Sequence, residues 1–206
     1  MAMPRVNPNQ LLVEGSDDLH AIVSLMEHHM HWPDDPRKRP VVIAFAGSAE
    51  ELLEPAYLST AYKRSGLRNM GLILDADKAF ASRWSGARRF CEKFFTSVPA
   101  KLPKEGLILE DTEGKRCGVW IMPDNTSVGM LETFCAHLVP SKRTDLWTFA
   151  DEAIETARAK GGDWRDCHRD KARMHTWLAW QDPPGERIGL PSAQTFVTWF
   201  KKLYGF

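Results

Sequence analysis

The sequence lacks the features that would place it in several common classes. Its four cysteines form no CxxC pair, which argues against a zinc ribbon and indicates free thiols in a reduced compartment. No apolar run approaches the ~20 residues of a membrane-spanning helix, so we expect no membrane association. The first ten residues contain no apolar core of the kind found in secretory signals, so we expect a cytoplasmic protein.

An excess of charge of either sign is also missing. Lys and Arg together number 27, and so do Asp and Glu, which gives a formal net charge of zero. Binding to a polyanion such as nucleic acid would therefore require a local basic patch. The phosphate-binding pattern GxxxxGK[ST] is absent as well, so a nuclease driven by nucleotide hydrolysis would need a separate ATPase partner.

Short apolar runs alternate with helical patterns over the first part of the chain. Buried strands are predicted at residues 10–13, 40–48 and 70–75. Amphipathic helices are predicted between and after them, and this alternation favours a parallel sheet with helices on both faces. Residues 106–111 and 115–122 predict an antiparallel hairpin around Gly114, whose second arm is alternatively the fourth strand of the sheet.

The strand pattern stops near residue 141. Amphipathic helices are predicted at residues 145–160, 169–180 and 192–204. We predict an α/β domain over residues 1–140, with a Rossmann-like, mainly parallel four-stranded sheet, helices on both faces and a β-hairpin extension. Residues 141–206 are predicted to form a helical C-terminal extension that packs on the same domain.

Acidic residues follow the apolar strands at two places. Glu14 closes the first strand, and Asp75 and Asp77 close the third. Side chains just past the carboxyl ends of parallel strands face a common crevice. Adjacent carboxylates repel each other and need a cation or shared protons, and Mg²⁺ prefers such oxygen ligands. Any one of these residues alone is typical of a turn or a helix cap, but together they predict a Mg²⁺ site.

Two motifs carry a resemblance to a known family. VEGSDD at residues 13–18 and LILDAD at residues 72–77 resemble the Glu-Gly and DxD motifs of the Toprim family. That family includes topoisomerases, bacterial primases, recombination-repair proteins, small maturation ribonucleases and the overcoming-lysogenization-defect (OLD) nucleases. Residues 118–134, GVWIMPDNTSVGMLETF, are similar to a third segment of small bacterial Toprim proteins related to the OLD nucleases. The resemblance covers roughly residues 10–140 and implies a Toprim-like sheet.

The resemblance implies Mg²⁺- or Mn²⁺-dependent cleavage of phosphodiester bonds in nucleic acid. The metal ligands that it implies are Glu14, Asp18, Asp75, Asp77 and, from the fourth strand–helix unit, Asp124 or Glu132. Glu14 is alternatively the general acid or base, and Asp17 is a less favoured neighbour of Asp18. So many carboxylates are compatible with two metal ions, which would hold the attacking and leaving oxygens of a phosphodiester.

The segment after residue 164 carries local positive charge. Lys171 and His175 are four residues apart and therefore lie on one helix face. OLD-like sites place a lysine comparably, which implies Lys171 as a catalytic group that binds a phosphate or stabilises the transition state. A solvated lysine and a partly buried histidine are the slightly favoured interpretation. With Arg169 and Arg173, these two residues form a candidate patch for a nucleic-acid backbone.

The sequence also departs from the better-known Toprim proteins. It has no primase zinc-binding region, no strand-passage region and no tyrosine in an evident catalytic context. The leading interpretation is therefore a small, nuclease-like phosphodiesterase. The alternative is a non-catalytic or regulatory nucleic-acid-binding subunit that partners an ATPase in phage defence, and a third is a nucleotide-handling enzyme. Tryptophans on the C-terminal helices fit core packing or a subunit interface, which leaves a homodimer open.

Overall fold

The computed structural model describes residues 7–137, 139, 144–182 and 193–206. Its strands are β1 (Asn9–Val13), β2 (Val42–Phe45), β3 (Asn69–Asp75), β4 (Leu107–Glu110) and β5 (Arg116–Met122). Its α-helices are α1 (Ser16–Glu27), α2 (Ala49–Leu52), α3 (Pro55–Tyr62), α4 (Phe80–Cys91), α5 (Leu131–His137), α6 (Thr144–Ala159), α7 (Arg169–Ala179) and α8 (Gln194–Tyr204). None of the described helices combines the length and the apolar composition that crossing a bilayer requires. The predicted domain boundary at residues 140–141 and the first six residues lie outside the described part of the chain.

The five strands join one sheet in the order β2-β1-β3-β5-β4. β1, β2, β3 and β5 run parallel, whereas β4 runs antiparallel to β5. The predicted α/β fold with a mainly parallel sheet is confirmed, but the predicted count of four strands is wrong. The second arm of the predicted hairpin pairs with β3 from Asn69↔Arg116 to Asp75↔Met122. The second arm is therefore strand β5 inside the sheet. The first arm is β4, the antiparallel edge strand of the same sheet, and the hairpin is not an extension beyond the sheet.

Helices cover both faces of the sheet. Alternation along β1 directs Leu11 and Val13 to one face and Leu12 to the other. The core on the first face includes residues of α1, α5, α6, α7 and α8, whereas the core on the second includes residues of α2, α3 and α4. β3 is buried continuously up to Leu74, as expected for a central strand that is covered on both sides.

The last helix lies on the middle of the sheet. Gly71 of β3 and Gly118 of β5 are paired neighbours, and their lack of a side chain leaves room for α8. A Cβ atom at Gly71 would lie 2.6 Å from the hydroxyl oxygen of Tyr204, and one at Gly118 would lie 2.6 Å from a methyl carbon of Leu203. These close approaches seat α8 against β3 and β5. The division of the chain into a domain and an extension stays a prediction.

Candidate functional site

A cleft of about 450 Å³ opens where β1 and β3 end. These two strands are parallel neighbours, paired up to Leu12↔Leu72, so the residues that follow them emerge at the same edge of the sheet. The acidic residues that line the cleft are Glu14, Asp17, Asp18, Asp75, Asp77 and Glu132. Lys171 and His168 line it as well. Five of the six predicted metal ligands and the predicted catalytic lysine therefore share one cleft.

Glu14 and Asp75 are joined directly, although 61 positions separate them in the sequence. The Oε1 atom of Glu14 accepts a hydrogen bond of 2.7 Å from the backbone N–H of Asp75. Burial raises the pKa of Glu14 to about 7, although the N–H of Asp75 and the charge of Arg83 act in the opposite direction. Glu14 is therefore a carboxyl group that can exchange a proton near neutral pH.

Asp75 lies at the centre of the acidic group. Its Oδ1 atom accepts a hydrogen bond of 3.0 Å from the backbone N–H of Leu131, which begins α5. Burial raises the pKa of Asp75, and the negative charges of Asp18, Glu14 and then Glu132 raise it further. Its carboxyl group therefore shares one electrostatic environment with carboxylates from α1, from α5 and from the turn after β1.

Asp18 and Glu132 are the two most buried acids of the cleft, with 7% and 8% of their surface exposed. The Oδ2 atom of Asp18 accepts a hydrogen bond of 2.8 Å from the N–H of Gly15, at the start of α1. Burial raises the pKa of Asp18, and the neighbouring charge of Glu132 adds to this effect. Burial also raises the pKa of Glu132. The sequence left Asp124 and Glu132 as alternatives, and the structure brings Glu132 to the cleft.

Asp77 adopts an unusual backbone conformation in the segment between β3 and α4. Its φ angle of 49° lies in the left-handed region, which aspartate tolerates better than most residues. Its N–H and C=O both pair with Gly129, and its Oδ2 atom lies 3.1 Å from the guanidinium of Arg83. Arg83 also binds Glu50 at 2.8 Å. Arg83 is not among the residues predicted from the sequence. Its only signal in the sequence is its position on the helix that follows the DxD motif.

Lys171 reaches the mouth of the cleft from α7. Its ammonium lies 2.5 Å from the Oδ2 atom of Asp17, and both side chains are about half exposed. The hydrogen bond to Asp17 raises the pKa of Lys171, and the same bond lowers the pKa of Asp17. The charge effect of His175, one turn further along α7, helps to lower the pKa of Asp17 and offsets part of the rise that burial causes in the pKa of Glu132.

Asp124 is the predicted ligand that the structure does not bring to this cleft. Its carboxylate accepts hydrogen bonds from the N–H and hydroxyl groups of Thr126 and Ser127. Burial alone would raise the pKa of Asp124, but these hydrogen bonds outweigh it and lower the pKa. Asp124 lines a separate cleft of about 490 Å³ beside Trp120 and Phe196. It stabilises the turn after β5.

The predicted nucleic-acid patch on α7 is largely neutralised by acids of α6. Arg169 lies 2.7 Å from Asp151 and 3.0 Å from Glu155. Arg173 lies 3.6 Å from Asp151 and packs its guanidinium over the ring of Trp147. These two arginines hold α7 against α6, so Lys171 is the member of the patch that lines the acidic cleft.

The donor set of the cleft fits a hard divalent cation. The candidate ligands are the carboxylates of the Asp and Glu side chains that line the cleft. Mg²⁺ and Mn²⁺ prefer oxygen ligands of this kind. Within the described residues, no three His, Cys, Asp or Glu side chains close around a metal position. The carboxylate oxygens instead face backbone N–H groups and Arg83. The chemistry of the ligands thus suits a cation, which would compete with hydrogen bonds made within the protein.

The fold and the cleft together define an α/β protein with a cluster of buried carboxylates at the carboxyl edge of its sheet. The family described as "Protein of unknown function (DUF3226)" matches residues 8–205, and the chain belongs to this family. No curated protein and no solved structure matches the chain.

Proposed function

We propose that the chain is a Toprim-like protein that hydrolyses phosphodiester bonds of nucleic acid with the help of Mg²⁺ or Mn²⁺. The observation that carries the proposal is the hydrogen bond between Glu14 and Asp75, with Asp18 and Glu132 buried beside them. This places the acids of the Glu-Gly and DxD motifs together at one edge of a parallel sheet, where α/β proteins commonly bind ligands. The order of strands and helices around these motifs supports the same assignment.

The residues that would hold the metal are Glu14, Asp18, Asp75, Asp77 and Glu132. A bound divalent cation would polarise the phosphate and lower the pKa of a coordinated water molecule. Arg83 holds the Asp77 carboxylate in place through its ion pair. The hydrogen bonds from the N–H groups of Asp75 and Leu131 orient the carboxylates of Glu14 and Asp75, so few side-chain rotations remain to be fixed when a ligand binds.

Glu14 and Lys171 would act on the substrate itself. Because Oε1 of Glu14 accepts the N–H of Asp75, Oε2 is the atom that would take a proton from the attacking water. In the metal-free protein burial raises the pKa of Glu14 to about 7, and a carboxyl group in this range can accept a proton and later release it near neutral pH. Lys171 would leave Asp17 and bind a phosphate oxygen, which stabilises negative charge as the bond from phosphorus to the leaving oxygen breaks.

A second candidate is hydrolysis of a small phosphate ester by the same residues. The pairing of Arg169 and Arg173 with acids of α6 favours this candidate, because it removes two cations that a long nucleic acid would need. Lys171 lines the cleft, and Arg83 contacts Asp77 at its edge. Such a cleft suits a substrate that carries one or two phosphates at least as well as it suits a long polyanion.

The test is metal-dependent cleavage of single- and double-stranded DNA, RNA and a small chromogenic phosphodiester. Asp75→Ala and Glu14→Gln are expected to lower the rate by about a hundredfold or more, because both lie in the proposed reacting centre. Asp124→Ala is the matched control, since this acid lies in a different cleft. Activity on the small ester alone would favour the second candidate. Equal cleavage by the wild type and all variants would remove this site from the reaction, and binding without turnover would favour a regulatory subunit.

A further inference from the structure

At one edge of the sheet, no described strand lies beside the outer side of β2. β2 pairs only with β1. The N–H of Ala46, just past β2, donates to the carbonyl of Val13, so residues of even number direct their backbone groups toward β1. Because these groups alternate along a strand, Ile43 and Phe45 direct their N–H and C=O groups outward. These outward groups need partners, either water or another strand.

Nothing within β2 protects this edge in the usual way. Exposed edge strands normally carry a lysine, a proline or a bulge that blocks pairing with another strand. The segment Val42–Phe45, with the sequence VIAF, contains none of these. It exposes 36% of Val42 and 53% of Phe45 instead. An apolar, unguarded edge of this kind is suited to receive a further strand.

Opposite charges lie at the two ends of β2. Arg37, Lys38 and Arg39 precede the strand, and Glu50 and Glu51 follow it in α2, but Arg37 already pairs with Asp35 and Glu50 with Arg83. Lys38 and Glu51 are exposed, and no ion pair joins either of them to another described residue. The chain therefore carries a short apolar edge with a basic end and an acidic end.

We propose that β2 pairs antiparallel with β2 of a second copy of this chain, so that two sheets join across a twofold axis. Antiparallel pairing brings the basic end of one β2 to the acidic end of the other, and the symmetry repeats this contact. A parallel arrangement would bring like charges together, which is unfavourable. This self-complementarity favours a second copy over an unrelated peptide. The proposal is independent of the proposed activity, because no residue of β2 lines the acidic cleft.

The directions of the side chains restrict the register of this pairing. A twofold axis perpendicular to the sheet pairs residues whose side chains lie on the same face. Ile43 and Phe45 share one face, and both direct backbone groups outward. Pairing Ile43 with Phe45 of the second copy centres the contact on Ala44 and places Lys38 at the end where Glu50 and Glu51 of the second copy lie. Because β2 has only four residues, we expect a weak, concentration-dependent dimer.

The first test is the solution mass of the full chain, measured by sedimentation velocity over a range of concentrations. The wild type is expected to shift from monomer to dimer as the concentration rises. Phe45→Lys places a charge on the outer edge and is expected to raise the dissociation constant about tenfold or more. Val128→Lys is the matched control, because Val128 is 60% exposed and lies outside β2. Circular dichroism checks that each variant folds.

A wild-type chain that stays monomeric at every concentration overturns the proposal. So does a dimer that a folded Phe45→Lys variant leaves intact, or one that Val128→Lys weakens to the same extent. A failure of this test would leave the metal-dependent activity untouched, since the two sets of residues do not overlap.

A second test uses charge-reversal variants to examine whether the two β2 strands pair in the antiparallel direction. Lys38→Glu and Glu51→Lys each bring like charges together, and each is expected to weaken the dimer roughly threefold to tenfold at low salt. The double variant restores opposite charges between the two copies and should dimerise almost as the wild type does. Additive weakening in the double variant would contradict antiparallel pairing. This test also remains informative if Phe45→Lys does not fold.

Discussion

The acidic cleft and the junction between α6 and α7 both bring carboxylates together, but cations balance the carboxylates more fully at the junction than in the cleft. At the junction, Arg169 contacts Asp151 and Glu155, and Arg173 contacts Asp151 as well. The guanidinium of Arg173 lies 4.2 Å from the centre of the Trp147 ring, which adds a cation–π contact. Each charge at the junction therefore has a structural partner that helps to join two helices.

The cleft holds more acids than cations. Arg83 is already engaged with Asp77 and Glu50, and Lys171 is engaged with Asp17. The acids left without a cationic partner are Glu14, Asp18, Asp75 and Glu132, and the pKa of each is raised first by burial. A cluster of this kind destabilises the fold unless protons or a cation neutralise it. The contrast indicates that charge at the junction serves stability, whereas charge in the cleft serves binding.

The largest expected difference between the two regions comes from neutralising one acid in each. Asp75→Asn keeps an oxygen for the N–H of Leu131 and removes a carboxyl group that must either carry a buried charge or hold a proton, so the metal-free protein at pH 8 should gain about 1–3 kcal/mol in unfolding free energy. Asp151→Asn should lose about 1 kcal/mol or more, because it leaves Arg169 and Arg173 without this partner. Urea unfolding measures both changes. Loss of stability in both variants would contradict the contrast.

The dependence of stability on pH should follow the acids of the cleft. The pKa of Glu14 is about 7 in the folded protein and near 4.5 when it is unfolded, so the unfolded state releases its proton first as the pH rises. The metal-free protein should therefore lose stability between about pH 4.5 and pH 7, by up to about 3 kcal/mol from Glu14 alone. Asp75, whose pKa is also raised, acts in the same direction. Thermal unfolding across this range measures the loss.

Added Mn²⁺ or Mg²⁺ should reverse that loss. Because a cation binds the ionised carboxylates, it should raise the melting temperature more at pH 8 than at pH 5. In the Asp75→Asn variant the difference between the two pH values should shrink. A metal-free protein that is more stable at pH 8 than at pH 5, with no response to either ion, would argue against an unbalanced cluster.

Lys171 should affect the reaction more than it affects metal binding. Lys171→Met removes the ammonium that would bind the phosphate, and cleavage should fall about tenfold, which corresponds to about 1.4 kcal/mol. The rise in melting temperature caused by the metal should persist, since Lys171 is not among the proposed ligands. Lys202→Met on α8 is a control that removes a lysine far from the cleft. A normal cleavage rate in Lys171→Met would make the lysine a partner of Asp17 alone.

Removing a cation from the junction should have the smallest effect. Arg169→Ala breaks the contacts with Asp151 and Glu155, which are partly exposed, so the unfolding free energy should fall by about 1 kcal/mol or less. Calorimetric binding of Mn²⁺ should be unchanged. If this variant instead lost metal binding, the two regions would be coupled and the contrast between them would fail.

Local patterns in the sequence were sufficient to predict the mainly parallel sheet and the edge at which Glu14, Asp75 and Asp77 emerge. Alternation of strands and helices restricts the topology strongly, and a carboxylate just past a parallel strand can lie only at the carboxyl edge. The strand count was harder to predict. Whether 115–122 belongs to a separate hairpin or to the sheet depends on pairing with β3, a long-range contact that local patterns do not encode.

The sequence also could not predict which charged side chains pair with each other. Arg83 reaches Asp77 because of how α4 leaves the DxD turn, and Arg169 turns toward α6 because two helices pack side by side. Asp124 satisfies its carboxylate within its own turn, as aspartate often does. Spacing alone could not separate it from Glu132, which lies in the first turn of α5 and lines the cleft.

The most direct measurement of the cation site is isothermal titration of Mn²⁺ into the wild type, Asp75→Ala and Asp124→Ala at pH 8. We predict binding to the wild type and to Asp124→Ala, with release of protons because the carboxyl groups ionise as the ion enters, and loss of binding in Asp75→Ala. Absence of binding to the wild type, or equal binding to all three proteins, would contradict a divalent-cation site in this cleft.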